Sequence, residues 1–204
     1  FWLALGRGVN WVDTAPSYGD GKSEIALGWL LAEIPEERRP IISTKVQFDP
    51  DAGDFAGQAE RSMIESLERL RMDSVDVIQV HNALLAAWNG NPRALRPEEM
   101  LGKNGVADAL DHLVDQGLAR YVGFSGTGEA AAVRDVLASG RFASAQIYYN
   151  FLNPSAGRAM LSSWDAYDQQ NLISTAAEHD VAVMAIRVFA AGVIPTDIRT
   201  GREG

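Results

Sequence analysis

The sequence predicts an α/β protein in which short strands alternate with helices around a parallel sheet. Two observations support this prediction: six short apolar runs resemble buried strands, and longer amphipathic patterns separate most of them. Strands joined by helical crossovers form either an open doubly wound sheet or a closed eight-stranded (β/α) barrel. Periodicity alone does not decide between these two folds.

The predicted elements follow one another in a regular order. We expect strands at residues 9–13, 40–45, 75–81, 120–125, 144–150 and 181–187. Helical patterns cover residues 22–34, 55–71, 105–117, 128–140 and 171–180. The opening FWLALGRG predicts the last turns of a helix that ends at its glycines. Residues 82–105 form a long loop, either functional or a tolerated insertion, and residues 150–170 form a second irregular stretch.

Composition excludes several classes of function. The formal net charge is −9, so the surface repels nucleic acid and anionic membranes. No run of residues is long and apolar enough for a membrane helix, and the first residues lack the pattern of a signal peptide. The absence of cysteine excludes thiol chemistry and fits a reducing compartment, so we expect a cytoplasmic protein without a metal site.

Polar side chains terminate three consecutive predicted strands. These residues are Asp13, Lys45 and His81, and Tyr18 follows the first of them. In a barrel they would converge, because the carboxyl ends of the strands form one face. A tyrosine, with an ordinary pKa of about 10, becomes a useful acid near neutrality only beside a cation. Lys45 can be that cation, Asp13 can keep it charged, and His81 can orient a carbonyl oxygen.

Three motifs resemble those of a known enzyme family. Residues 8–24, 42–45 and 77–81 read GVNWVDTAPSYGDGKSE, ISTK and VIQVH, and in this order they are similar to the aldo-keto reductase signatures. The resemblance implies a (β/α)8 TIM barrel with Asp13, Tyr18, Lys45 and His81 as its catalytic tetrad. It also implies hydride transfer between a nicotinamide cofactor, NADP or possibly NAD, and a small aldehyde, ketone or sugar.

The same resemblance implies further contacts. VGFSG, AQIYYN and AIRVFAAG match family segments, and the implied cofactor-binding residues are Ser125, Gly126, Gln146, Arg187, Phe189 and Ala191. Where the family often stacks an aromatic ring on the nicotinamide, this chain has Ile186 and Arg187, and Arg187 is expected to contact a cofactor or substrate oxygen instead. Trp88 is the candidate wall of the substrate pocket.

The resemblance also suggests how much of the barrel these residues contain. We expect one domain over residues 1–204 that comprises about strands two to seven and lacks the regions of strands one and eight. Such a piece would expose two sheet edges, so we expect it to bind cofactor weakly or not at all by itself. The sequence leaves the oligomeric state open.

Two other functions fit parts of the pattern. A regulatory subunit of the same fold could bind cofactor without turnover, although the intact tetrad argues against it. A barrel lyase could form a Schiff base on Lys45, but a nearby carboxylate opposes the neutral amine that this chemistry needs. Ordinary structural roles can also explain each tetrad residue taken singly.

Overall fold

A single parallel sheet of six strands organises the molecule. The computed structural model describes residues 1–87 and 90–195. The strands lie in the order β1 to β6, so each strand pairs with its neighbours in sequence. They are Trp11–Asp13, Ile41–Val46, Val75–Val80, Ala119–Gly126, Ser144–Tyr148 and Ala182–Ile186.

Helices follow the strands as the sequence predicts, with shorter bounds. Helices α1 to α7 are Trp2–Gly6, Lys22–Leu31, Phe55–Leu70, Pro97–Leu101, Val106–Asp115, Ala130–Ala138 and Leu172–Glu178. The prediction for the last helix is too long at its end, because Asp180 has a positive φ of 55° that a helix cannot accommodate. In the part of the chain that the structure describes, every helix is too short or too polar to cross a bilayer.

The strand order decides between the two folds that periodicity left open. A doubly wound sheet reverses its strand order at a switch point, whereas this order is sequential throughout. Gln146 on β5 donates a hydrogen bond of 2.8 Å to Asp13 on β1. In a flat sheet four strand spacings, about 19 Å, would separate these strands. The sheet is therefore curled, and the prediction of a (β/α)8-type barrel with about six of its strands is confirmed.

The two faces of the sheet differ in composition. Alternate strand residues pack against the helices and are apolar and buried: Ile42, Val46, Ile78, Val80, Phe124, Ala145 and Ile147. The residues between them face the inside of the curl and are mostly polar yet equally buried: Ser43, Lys45, Gln79, Ser125, Ser144 and Gln146. The helices thus cover an apolar core, while the interior of the curl is polar.

The predicted loop at residues 82–105 contains regular structure that periodicity did not indicate. Helix α4 lies within it, and Arg96 at its start donates its backbone N–H and a guanidinium N–H to the carboxylate of Glu99 in its first turn. The amide of Asn82 is buried and bonds both the backbone N–H and the carbonyl of Phe48. The expectation of an entirely irregular loop is wrong because these local polar contacts stabilise a helix too short for a periodic signal.

Helices α2 and α3 contact each other closely at Gly28, so replacing this glycine tests the packing. An added Cβ would collide with the carbonyl groups of Arg69 and Leu70. We expect Gly28→Ala to lower the free energy of unfolding by about 1–3 kcal/mol, measured by urea denaturation followed by circular dichroism.

Gly6→Ala is the matched control, because among the described residues outside its own helical turn nothing lies within 4 Å of a Cβ at that position. It should leave stability nearly unchanged. Equal stability of the Gly28 variant and the wild type would contradict the close helix contact.

Candidate functional site

A cavity opens at the carboxyl ends of the strands, where the sequence predicts the site. Its volume is about 340 Å³, and it is lined by Asp13, Tyr18, His81, Ser125, Thr127, Gln146, Tyr148, Ile186 and Arg187. A second cavity of about 690 Å³ shares Tyr148 and Arg187 with the first. The two cavities therefore adjoin each other on one face of the molecule.

The side chain of Lys45 is fully buried and lies at the centre of the site. Its Nζ donates to Asp13 Oδ2 at 2.5 Å, to the carbonyl oxygen of Thr14 at 2.9 Å and to the hydroxyl of Tyr18 at 3.1 Å. An ammonium has three N–H donors, so each of them has an acceptor. Because the Tyr18 oxygen accepts from Lys45, the hydroxyl proton of Tyr18 remains available to another acceptor.

Asp13 uses both carboxylate oxygens. Oδ2 accepts from Lys45, and Oδ1 accepts from Gln146 Nε2 at 2.8 Å. The amide nitrogen of Gln146 also lies 3.5 Å from the sulfur of Met184. Gln146 lines the cavity, and its amide N–H group orients Asp13.

Tyr18 lies in the turn between β1 and α2, which we call the tyrosine loop (residues 14–21). Its backbone N–H donates to the carbonyl of Ala15, and Gly21 donates to the carbonyl of Pro16 at 2.7 Å. Gly21 closes the turn with φ +78°, a conformation that favours glycine. These local bonds project the ring of Tyr18 into the cavity, where 39% of the residue remains exposed.

His81 stands beside Tyr18 on the loop after β3. The two rings meet edge to face with centroids 5.7 Å apart, and His81 Nδ1 lies 3.5 Å from Ser17 Oγ. Burial lowers the pKa of His81 below 6.5, and the positive charge of Lys45 lowers it further, while Asp13 opposes both effects. The imidazole is therefore mainly neutral at pH 7.

Ser125 and Gly126 end strand β4; Ser125 lines the cavity, whereas the expected cofactor residue Gly126 is not among its lining residues. Ser125 Oγ is buried and has no hydrogen-bond partner among the described residues. A buried hydroxyl without a partner costs free energy, so this position suits a polar group of a ligand. Gly126 is also buried, and a Cβ there would lie 3.0 Å from the carbonyl oxygen of Gln146. A side chain at this position would thus press on β5.

The segment after β6 brings two of its three expected residues to the cavities. Arg187 lines both cavities, with its guanidinium 5.5 Å from the ring centroid of Tyr148. Ala191 lines the larger cavity. Phe189 is not among the lining residues of either cavity and is 64% exposed. Trp88, the expected wall of the substrate pocket, lies outside the described residues.

Sequence reasoning did not identify every residue at the site. Tyr148 lies two residues after Gln146 on β5, so the alternation of strand side chains could have placed it in the same cavity. Ser17 sits beside Tyr18, but nothing in the sequence indicates its approach to His81. Thr127 follows Ser125 at the end of β4 and also lines the cavity.

Solved structures share this fold. An aldo/keto reductase from Klebsiella pneumoniae, crystallised with NADP and acetate, matches with a TM-score of 0.67 and 22% identity over 95% of this chain and 58% of that chain. The PA4992 protein of Pseudomonas aeruginosa matches with a TM-score of 0.65 and 28% identity over 95% of this chain and 66% of that one. Both comparisons agree with the curled parallel sheet described above.

Sequence comparison gives the family. Aldo-keto reductase YhdN from Bacillus subtilis (strain 168) is 31% identical over 127 residues, which are 60% of this chain and 34% of that protein. The chain thus spans about a third of this curated relative. The model of the "Aldo/keto reductase family" matches residues 3–203. Because this match covers nearly every residue, the chain belongs to the aldo/keto reductase family.

Proposed function

We propose that this protein is an NAD(P)H-dependent oxidoreductase that transfers a hydride between a nicotinamide and the carbonyl carbon of a small aldehyde, ketone or sugar. The observation that carries the proposal is the triple contact of the buried Lys45 ammonium with Asp13, Thr14 and Tyr18. Family membership supports the same chemistry. That the six strands correspond to about strands two to seven of a full barrel stays a prediction.

Tyr18 is the general acid in this proposal. Its hydroxyl faces the cavity and accepts a hydrogen bond from Lys45, so the ammonium stabilises the negative charge left when the proton moves to the carbonyl oxygen. Asp13 compensates the charge of Lys45 on the opposite side. The Lys45–Asp13 pair is neutral as a whole, so proton donation leaves one negative charge on Tyr18, and the contact with the ammonium stabilises it.

His81 orients the substrate in this proposal. A neutral imidazole has one N–H donor and one acceptor, and the ring lies at the edge of Tyr18 in the same cavity. A carbonyl oxygen that reaches the Tyr18 hydroxyl therefore also lies near His81. Two donors on one oxygen would polarise the carbonyl group.

The cavity contains groups that fit a nicotinamide. Ser125 Oγ is buried without a partner among the described residues, and Gln146 lines the same cavity. We propose that these two groups bind the carboxamide, and that Arg187 contacts an oxygen of the cofactor or substrate. When bound, the reduced cofactor supplies the hydride. We propose NADP because the Klebsiella relative contains it.

The Schiff-base alternative fits the geometry less well. An amine that forms a Schiff base must offer a lone pair, whereas Lys45 directs donors to three acceptors and contacts a carboxylate at 2.5 Å. A regulatory subunit that binds cofactor without turnover differs from the proposed enzyme only in activity. Assays of carbonyl turnover distinguish these two.

Substitution of Tyr18 tests the acid. We expect Tyr18→Phe to lower kcat for NADPH oxidation about 10²- to 10⁴-fold, because the variant lacks the proton donor. The measurement is absorbance of NADPH against a panel of aldehydes, ketones and aldoses, with the 204-residue chain and with any longer natural polypeptide that contains it.

Tyr149→Phe is the matched control, since Tyr149 is also 39% exposed and does not line the cavity of Tyr18. It should keep the wild-type rate. Full activity in Tyr18→Phe would remove Tyr18 from the mechanism, and cofactor binding without any turnover would favour the regulatory subunit.

Substitution of Ser125 tests the cofactor contact. We expect Ser125→Ala to weaken NADPH binding about fivefold to tenfold, through loss of one hydrogen bond worth about 1 kcal/mol. The affinity is measured by titration calorimetry or NADPH fluorescence, without turnover.

Ser144→Ala is the control, because Ser144 Oγ is likewise buried without a partner in the described part but does not line the cavity. It should bind NADPH with wild-type affinity. Equal affinity of Ser125→Ala and wild type would argue against the contact.

The charge of His81 gives a test by pH. Its pKa should lie below 6.5 in a titration of the ring protons by NMR, and Lys45→Met should raise it, because a nearby positive charge is removed while Asp13 remains. In the wild type, at pH values between the lowered pKa and 6.5, His81 binds more protons in the unfolded state than in the folded state. The contribution of His81 to stability is therefore lost as pH falls through this window.

The ring-proton signals of the exposed His112 and His179 serve as references for effects that are not local to the site. The signal of His81 is identified by its absence in His81→Asn. A pKa of His81 at or above 6.5 in the wild type would contradict the burial and charge described here.

A further inference from the structure

A second buried ion pair lies on the opposite side of β2 from the proposed catalytic residues. The side chain of Glu24, in the first turn of α2, is fully buried. Its Oε2 accepts from Arg69 Nε at 2.7 Å, and its Oε1 accepts from Thr44 Oγ1 at 2.5 Å. We call Glu24, Thr44 and Arg69 the Glu24 clamp; it joins α2, β2 and α3.

The Glu24 clamp is connected to the site through one strand. Thr44 directly precedes Lys45 on β2, and consecutive side chains of a strand point to opposite faces. Thr44 therefore fixes α2 from outside the curl at the same level where Lys45 contacts Tyr18 inside it. The position of α2 relative to β2 thus bears on the distance between Lys45 and Tyr18.

Hydrogen bonds hold both ends of the tyrosine loop, in addition to the bonds within it. At one end Thr14 donates its backbone N–H to the carbonyl of Ser43 at 2.9 Å, and its carbonyl accepts from Lys45. At the other end Ser23 Oγ lies 2.8 Å from Thr14 Oγ1, and the next residue is Glu24. Tyr18 itself is partly exposed, so the core does not hold its ring in place.

Arg69 also contacts the turn that ends the tyrosine loop. A Cβ on Gly21 would lie 3.0 Å from Arg69 Cδ, so the aliphatic part of the arginine packs on this glycine. The same arginine donates to Ser66 Oγ at 3.2 Å within α3. The start of α2 is therefore held by both a strand and a helix.

We propose that Glu24 is a positioning residue: through Thr44 and Arg69 it fixes the start of α2, and so sets the distance of the Tyr18 hydroxyl from Lys45. This inference rests on the function proposed above, because the Glu24 clamp is inferred to position Tyr18 for its proposed role as the general acid. A role in helix packing alone would affect stability but leave the geometry of the cavity unchanged.

Thr44→Val tests the positioning role with the smallest change. Valine keeps the shape and the strand preference of threonine but removes the hydrogen bond from β2 to Glu24, while the pair with Arg69 remains. We expect kcat for NADPH oxidation to fall about tenfold with little change in KM for NADPH, because proton transfer depends on geometry.

A second readout does not depend on turnover. Ser17 and Tyr18 of the tyrosine loop both contact His81, and burial lowers the pKa of this imidazole. If the loop moves, His81 becomes more exposed, and its pKa in an NMR titration should rise toward 6.5 in Thr44→Val.

Arg141→Met is the matched control. Arg141 is a partly buried arginine that contacts Asp108 at 2.9 Å and Asp111 at 2.6 Å on α5, and none of the three lines the cavity of Tyr18. This variant should lose stability without a change in kcat or in the titration of His81. If Thr44→Val does not fold, Glu24→Leu combined with Arg69→Met removes both charges of the pair together, and this double variant is compared with Arg141→Met in the same way.

The outcomes separate this inference from the proposed function. A folded Thr44→Val variant with wild-type kcat and an unchanged His81 titration would overturn the positioning role. If a longer natural polypeptide that contains these residues also shows no turnover while the His81 titration still shifts in Thr44→Val, the clamp positions the loop and the proposed activity is wrong.

Discussion

The buried ammonium of Lys45 is the constraint on which the rest of the structure depends. Moving a charged amine out of water costs several kcal/mol unless acceptors replace the lost hydration. Asp13, the Thr14 carbonyl and Tyr18 supply these acceptors, and all three come from β1 and the loop that follows it. The pairing of Asp13 with Ser43 places this loop next to Lys45. The need to compensate the charge of Lys45 thus fixes the position of the tyrosine loop.

The curl of the sheet completes this arrangement. Asp13 has a second oxygen, and its partner Gln146 comes from the fifth strand. Helices outside the sheet bury apolar residues such as Ile78 and Phe124, whereas the concave side collects polar ones. Successive side chains of each strand point to opposite faces of the sheet. One face therefore supplies hydrophobic stabilisation, and the other supplies the polar groups of the site.

The sequence alone predicted the strands, most of the helices and the four residues that meet at the cavity. This was possible because a parallel strand ends where its apolar run ends, so Asp13, Lys45 and His81 are marked by position. The bond between Gln146 and Asp13 depends on curvature, which no local pattern encodes. Glu24 looks like an ordinary acid at a helix start, and its burial follows only from the approach of α3. Helix α4 is too short for periodicity, and the exposure of Phe189 depends on the turn after β6.

The bond from Gln146 to Asp13 joins residues 133 positions apart in the chain. A contact of this length closes a large loop, and it forms only after the strands between its ends have paired. During synthesis β1 and β2 can therefore bring Asp13 and Lys45 together long before the amide that orients the carboxylate exists. The Asp13–Lys45 pair spans 32 residues and needs only two paired strands, whereas the bond that orients its carboxylate needs five strands that have joined and curled. The complete site therefore exists only when the sheet has reached its curled form.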